Sequence, residues 1–517
     1  MENSPLENGQ GNGSVVDKIK SVQISRRSLF KFAGLAGGVA ALGGIAASSF
    51  GDAKSIDTMM GWESEQGEVY FNREPFRVDK PGYEIKGPVN RVDQDVDSPT
   101  FRRLYYQEDA LLSKKGEENL MPRLKEYYAK HPDKLEGDRA WFTKLLPNLA
   151  EEEKKMNKDM WGIATAWNKA WTSMLAPLVG DPKEWDFKGV IKEPLKVKDP
   201  KETSKLIKKM AGLFGGTLVG ITKVNPRWIL GWGGGVDPRM LPILAAVGID
   251  PITPRGVRGG PIDIPDWWQY AIVIAVPHEP NLIEATPLFY SPFEAYTRSG
   301  LAAARLTGFI KALGYPARYN GNPIIGWDEL LATPLAIDAG LGEMGRPGIL
   351  VTPEFGPSVK LAVVLTNLPM EPDRPINMGL KDFCDKCGIC AEKCPGGSIP
   401  SGQPELQDDG VVRWMSDREK CQNYYASVPI RHMCGVCYSV CPWRRFDNAL
   451  HKYSRELAVR DRTGIAHQIM LWGQKSFYPS PSKDDYNAPT WATYKDVPWW
   501  MRTDMFFDGI PEGIFKK

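Results

Sequence analysis

The sequence predicts a mixed fold of the α/β (α+β) class, a sheet-centred core carrying a separate metal-binding unit, on three observations. Two short apolar runs, Tyr270 to Val276 and Leu361 to Leu365, read as strands covered on both faces. Segments with helical spacing lie between them, and strands alternating with helices indicate a layered core. All eight cysteines of the 517 residues fall between Cys384 and Cys441, which marks off one cysteine-rich unit. At roughly 150 residues per domain this length allows about three domains. An apolar fraction of 42% excludes disorder as the main state, and a net charge of +2 gives no reason to expect nucleic acid as a partner.

In chain order, residues 1 to 24 are polar and rich in Gly, Asn and Ser. Ser25-Arg26-Arg27-Ser28-Leu29-Phe30-Lys31 then precedes an apolar run from Phe32 to Phe50. A positive flank before a moderately apolar stretch is the layout of an export signal. The paired arginines are those of the twin-arginine type, which carries folded proteins across the membrane. A retained membrane helix is the competing reading; five glycines, Gly34, Gly37, Gly38, Gly43 and Gly44, weigh for a signal peptide over residues 1–53. No stretch after residue 54 reaches the roughly 20 apolar residues of a spanning helix, so membrane attachment of the mature chain is expected through a partner.

Residues 54–212 are charged and broken by proline, and are expected to be mostly helical. The strongest helical stretch runs from Leu145 to Leu175, with Trp161, Trp167 and Trp171 as a packed face. Residues 213–375 form the expected core. There the spacing predicts a helix over Ser299 to Leu313, with Leu301, Leu306, Phe309, Ile310 and Leu313 on one side and Gly314 as its stop. A shorter helix is predicted over Ala332 to Ala339. The glycine run Gly231-Trp232-Gly233-Gly234-Gly235-Val236 lacks the G-x-G-x-x-G spacing, so no nicotinamide or flavin site is expected on it. Residues 451–517, including Trp491, Trp499 and Trp500, read as a segment that covers the core.

The cysteines carry the most specific signal. The first motif is Cys384-x2-Cys387-x2-Cys390-x3-Cys394-Pro395, and the second is Cys421-x12-Cys434-x2-Cys437-x3-Cys441-Pro442. Three thiolates at intervals of three can hold three corners of one cubane, while the fourth, before a proline, reaches the neighbouring cluster. This is the bacterial two-cluster ferredoxin pattern. It assigns Cys384, Cys387, Cys390 and Cys441 to one [4Fe-4S] cluster and Cys394, Cys421, Cys434 and Cys437 to the other, within a ferredoxin-like unit over residues 376–450. Structural zinc usually takes two cysteine pairs per ion, and the compact first motif does not divide that way. Four disulfides conflict with export in the folded state, whose advantage is cofactor insertion in the reducing cytoplasm.

Two such clusters occupy a small fraction of the chain, leaving far more protein than an electron carrier requires. The combination resembles the reductive dehalogenases of organohalide-respiring bacteria, through the twin-arginine leader, the core segment Gly340-Leu-Gly-Glu-Met-Gly-Arg-Pro-Gly-Ile-Leu-Val-Thr-Pro-Glu-Phe-Gly-Pro357 and both cysteine motifs. The resemblance implies a nitroreductase-like core holding a corrinoid (cobalamin type) with its lower base detached. In agreement, none of the five histidines, His131, His278, His432, His451 and His467, lies in an Asp-x-His-x-x-Gly arrangement. It further implies a tyrosine proton donor and a nearby cation, expected here as Tyr296 and Lys360, with Tyr290 as the alternative tyrosine. A half-buried packing tyrosine and a solvated edge lysine are the bland readings of the same residues. Trp327 falls where some relatives carry a polar residue of the corrinoid pocket. The implied partners are a small organohalide, a small membrane-anchor protein and a respiratory electron donor, with action at the outer face of the cytoplasmic membrane. An epoxyqueuosine-reductase-like enzyme and a non-catalytic electron-transfer or corrinoid-carrier protein are the alternatives; export away from tRNA and the near-neutral charge weigh against the first.

Overall fold

The computed structural model describes residues 76–92, 122–140, 193–233, 260–262, 267–279, 290–320, 329–427, 434–444, 449–461 and 463–477, with Thr143, Ile283 and Ser480 besides. All lie in the second of the two units into which the chain divides, Met60–Lys517. The signal-peptide residues, the stretch from Leu145 to Leu175, Trp327, His432 and the tryptophans after residue 490 lie outside the described residues.

The helices of the described chain are α1 (Pro122–Lys130), α2 (Pro132–Ala140), α3 (Pro200–Leu213), α4 (Tyr290–Ala312), α5 (Ala332–Asp338), α6 (Leu380–Cys387), α7 (Ile389–Glu392), α8 (Arg418–Ser427), α9 (Val436–Ser439), α10 (Ala449–Arg460) and α11 (Ile465–Phe477). The central sheet has four strands, β1 (Leu218–Lys223), β2 (Tyr270–Pro277), β3 (Ala317–Asn320) and β4 (Val359–Thr366), in the order β1-β2-β4-β3. Each neighbouring pair is antiparallel. The alternation of strand and helix is therefore present, but the architecture is α+β. The reason is local: β2 and β3 run in the same direction with α4 as their crossover, and β4 enters later between them, antiparallel to both.

Both sheet faces are covered, as the apolar runs required. On one face Val219, Ile221, Ile272, Ile274, Ala362 and Val364 meet Ile207 and Ala211 of α3 and Ala302, Ala303, Leu306 and Ile310 of α4. The alanines let α4 approach the sheet closely. On the other face Leu218, Ala271, Val273, Val363 and Leu365 meet Leu335 and Ala336 of α5 and the buried Trp228. Asp199 caps α3, accepting from Lys201 N at 2.8 Å, and Pro200 fits its first turn. The domain boundary expected at residue 212 thus falls inside α3, which packs on the core sheet.

The helix expected from Ser299 begins nine residues earlier, at Tyr290. Ser299 is not a cap: its hydroxyl donates back to Tyr296 O at 3.1 Å within the helix. A Glu294–Arg298 ion pair braces this added turn, and Pro292 is tolerated because it stands in the first turn. Gly314, at φ 87°, does end the segment.

The cysteine module is built from short helices. Its own small core joins Leu380 and Phe383 of α6 to Trp443 and to Ala458 and Val459 of α10, with Met470 and Leu471 of α11 alongside. The described part of the C-terminal segment therefore covers this module, and the boundary expected at residue 450 falls inside α10. No helix among the described residues is long and apolar enough to cross a membrane.

Candidate active site and cysteine clusters

The segment Gly340 to Pro357 connects core and module. Glu343, buried, accepts from Met378 N at 2.6 Å and Leu380 N at 3.3 Å, at the N-terminus of α6. Three residues on, Arg346 donates to the carbonyls of Cys384 and Asp385 in the last turn of the same helix. An anion and a cation thus stand at the two ends of α6 in the sense its macrodipole favours, and satisfy groups that a helix leaves unpaired. Gly356, at φ 59°, sits so close to the chain after Cys441 that a Cβ would lie 2.5 Å from Trp443 C and 2.6 Å from Arg444 N.

Electrostatic influence links Cys441 with Cys384, Cys387 and Cys390, and Cys434 and Cys437 with Cys421 and Cys394. Burial raises the Cys441 thiol, and negative charge on Cys384, Cys387 and Cys390 raises it further. Burial likewise pushes Cys437 up to about 12, with Cys421 and Cys394 adding to the rise and Lys360 opposing it. Cys434 is raised by burial, then by Cys437, Cys421 and Cys394, against a backbone hydrogen bond from Val436. Cys390 responds to both Cys387 and Cys437, so the two sets adjoin. A bound cation acts in the opposite sense, because it favours the thiolate. No disulfide joins Cys384, Cys387, Cys390, Cys394, Cys434, Cys437 or Cys441. Among the described residues no three histidine, cysteine or acidic side chains converge as the shell of a single metal ion.

Against this module opens a cavity of about 470 Å³, whose lining includes Tyr83, Tyr296, Leu330, Lys360, Val411 and Tyr438. Lys360 stands on β4, between β2 and β3 in the sheet, paired with Val276, and is 8% exposed. The reading of a solvated edge charge is overturned by its burial: at Lys360 the strand pairs with β2 alone, β3 joining only from Val363, yet the side chain is covered. Its Nζ lies 4.8 Å from the ring centre of Tyr296 and 5.1 Å from that of Tyr438, and donates to Tyr438 Oη at 3.5 Å. Burial lowers the ammonium pKa to about 8, with the negative Cys437 pulling it back up. Tyr296 is on the second turn of α4 and half-buried; Tyr290 is the first residue of that helix, its side chain outside the described set.

Tyr438 was not legible as a site residue. It occupies the three-residue spacer between Cys437 and Cys441, stacks on the buried His278 with ring centres 5.5 Å apart, and is held protonated chiefly by burial. Burial, then the charges of Lys360 and Arg298, hold His278 well below the usual histidine range. Elsewhere in the lining Tyr83 donates to Asp338, which also accepts from Trp228 Nε1 at 2.7 Å. Among the described residues no histidine lines the cavity.

Fold and site together define a mixed helix–sheet protein whose lysine-bearing cavity adjoins a module of eight cysteines. The chain is 30% identical over 291 residues to the tetrachloroethene reductive dehalogenase of Desulfitobacterium hafniense, covering 50% of this chain and 51% of that protein. With the tetrachloroethene reductive dehalogenase of Sulfurospirillum multivorans it shares 28% over 304 residues, 56% of this chain and 59% of the other. A solved reductive dehalogenase described as B12-dependent superimposes with a TM-score of 0.54 at 22% identity, covering 78% of this chain and 48% of that one. No protein-family model matches the chain. The chain is a relative of the reductive dehalogenases and shares their fold; its matched part spans about half the length of those relatives.

Proposed function

We propose that the protein is a corrinoid-dependent reductive dehalogenase, R–X + 2 e⁻ + H⁺ → R–H + X⁻, with a nitroreductase-like core and a ferredoxin-like module of two [4Fe-4S] clusters. The carrying observation is the meeting, in one cavity, of Tyr296 and Lys360 from the core with Tyr438, the neighbour of Cys437. The residues fit the groups the reading needs: two sets of four thiols, and a cavity whose described lining offers no histidine to a cobalt. When bound, the corrinoid cobalt supplies the low-valent metal that breaks the carbon–halogen bond, and the clusters supply electrons one at a time.

The chain supplies the rest. Tyr296 holds the proton destined for carbon at its Oη, and the Lys360 ammonium favours the phenolate left behind. Tyr438 keeps that ammonium between the two rings. The lining around Leu330 and Val411 is apolar and suits a halocarbon, which offers few hydrogen bonds. With residues 1–53 as a twin-arginine signal, the enzyme works at the outer face of the cytoplasmic membrane, held there by a small anchor protein and fed by a respiratory donor.

Metal content and turnover test the reading together. Native protein is expected to carry roughly eight iron and one cobalt, and to release halide from chlorinated ethenes under a strong chemical reductant. Eight iron without cobalt, and no halide from any member of a chlorinated alkane, ethene and arene panel, would leave an electron-transfer protein instead.

A further inference from the structure

Arg346 is 1% exposed and carries a permanent charge. Its guanidinium donates to Cys384 O at 3.1 and 2.9 Å, Asp385 O at 3.3 Å, Pro400 O at 3.0 Å and Gly402 O at 2.9 Å, and lies 4.5 Å over the ring of Trp414. These acceptors are neutral carbonyls. The carboxylate facing it, Asp385 Oδ1 at 3.8 Å, belongs to a side chain 45% exposed, where water screens the pair. The positive charge is thus left to act on its surroundings.

A buried cation hydrogen-bonded to a ligand's own carbonyl favours, by Coulomb's law, the more negative of two redox states. A four-thiolate cluster gains one negative charge with each electron it accepts, and net local charge is one determinant of its potential. We propose that Arg346 sets the reduction potential of the cluster held by Cys384, Cys387, Cys390 and Cys441, holding it more positive than its ligands alone would. The inference rests on the cluster reading given above. Arg346 touches a ligand backbone and no substrate, so it is a positioning residue. It lies in the core segment, so the protein that surrounds the cavity also tunes the supply of electrons to it.

Full-length holoprotein, titrated reductively with redox dyes and followed by electron paramagnetic resonance, tests this. Arg346→Gln is expected to keep its iron and to move one of the two midpoint potentials to more negative values, leaving the other near its original position. Arg346→Lys, which keeps the charge and loses the planar fork, is expected to stay close to wild type. Unchanged midpoints in an iron-replete Arg346→Gln protein would overturn the proposal, as would an Arg346→Lys shift as large as that of Arg346→Gln. If Arg346→Gln loses iron, Arg346→Lys decides: wild-type potentials support the charge, and loss of iron there too reduces Arg346 to a structural anchor. Wild-type protein without iron would sink the cluster reading itself, which separates the two failures.

Discussion

Lys360 couples two pH dependences of opposite sign. Its folded pKa of about 8 lies below the ordinary 10.5, so between these values the unfolded chain holds a proton that the native chain has released. Stability contributed by this residue therefore rises as pH climbs from about 8 towards 10.5. Activity that needs the ammonium falls over the same interval. A pH profile of halide release is expected to decline above about pH 8 while thermal stability does not, and Lys360→Arg is expected to remove that decline, because a guanidinium does not titrate there. Tyr296→Phe is expected to lower kcat by about 10² to 10⁴, the usual weight of a positioned general acid, with cobalt and iron content unchanged. Tyr438→Phe keeps the ring against His278 and removes only the hydroxyl that meets Lys360. It is expected to reduce kcat less than Tyr296→Phe in the same assay.

At the scale of elements, α4 and the Gly340–Pro357 segment do the positioning. α4 presents Tyr296 because its start extends to Tyr290 and its other face is fixed by Ala302, Ala303, Leu306 and Ile310 on the sheet. Leu306→Ala is expected to cost about 2 to 5 kcal/mol in a denaturant titration, the range for emptying a fully buried leucine site. The close approach of Gly356 to Trp443 and Arg444 makes the second position vulnerable. Gly356→Ala combines a backbone clash with a positive φ, so it is expected to loosen the module. The readout is iron per chain, which falls while the far-ultraviolet circular dichroism of the core persists. Local pattern reading placed α5 within one residue of its observed end and stopped α4 at Gly314. It missed the start of α4, because a serine followed by apolar periodicity has the same local signature whether it caps a helix or lies within one.

For the whole molecule, two apolar layers on the sheet stand apart from the small core of the module, which includes Phe383, Trp443 and Val459. On the proposed cluster reading, a module with so few buried side chains among the described residues depends on its clusters more than the sheet does. Stripping iron with a chelator under reducing conditions is expected to raise hydrogen exchange across residues 380–444 and to leave β2 and β4 protected. The sequence by itself determined the two cysteine motifs, the covered strands and the crossover helix, since each is written in spacings of a few residues along one chain. Lys360 and Tyr296 were nameable only through the resemblance. What the tertiary structure alone decided was that β4 inserts between β2 and β3, that Lys360 is buried there, and that Tyr438 meets it. It also decided that Glu343 and Arg346 bracket one helix of the cysteine module. All four join residues tens of positions apart, and such meetings are fixed by which apolar faces bury one another, a property of the folded chain that no local pattern records.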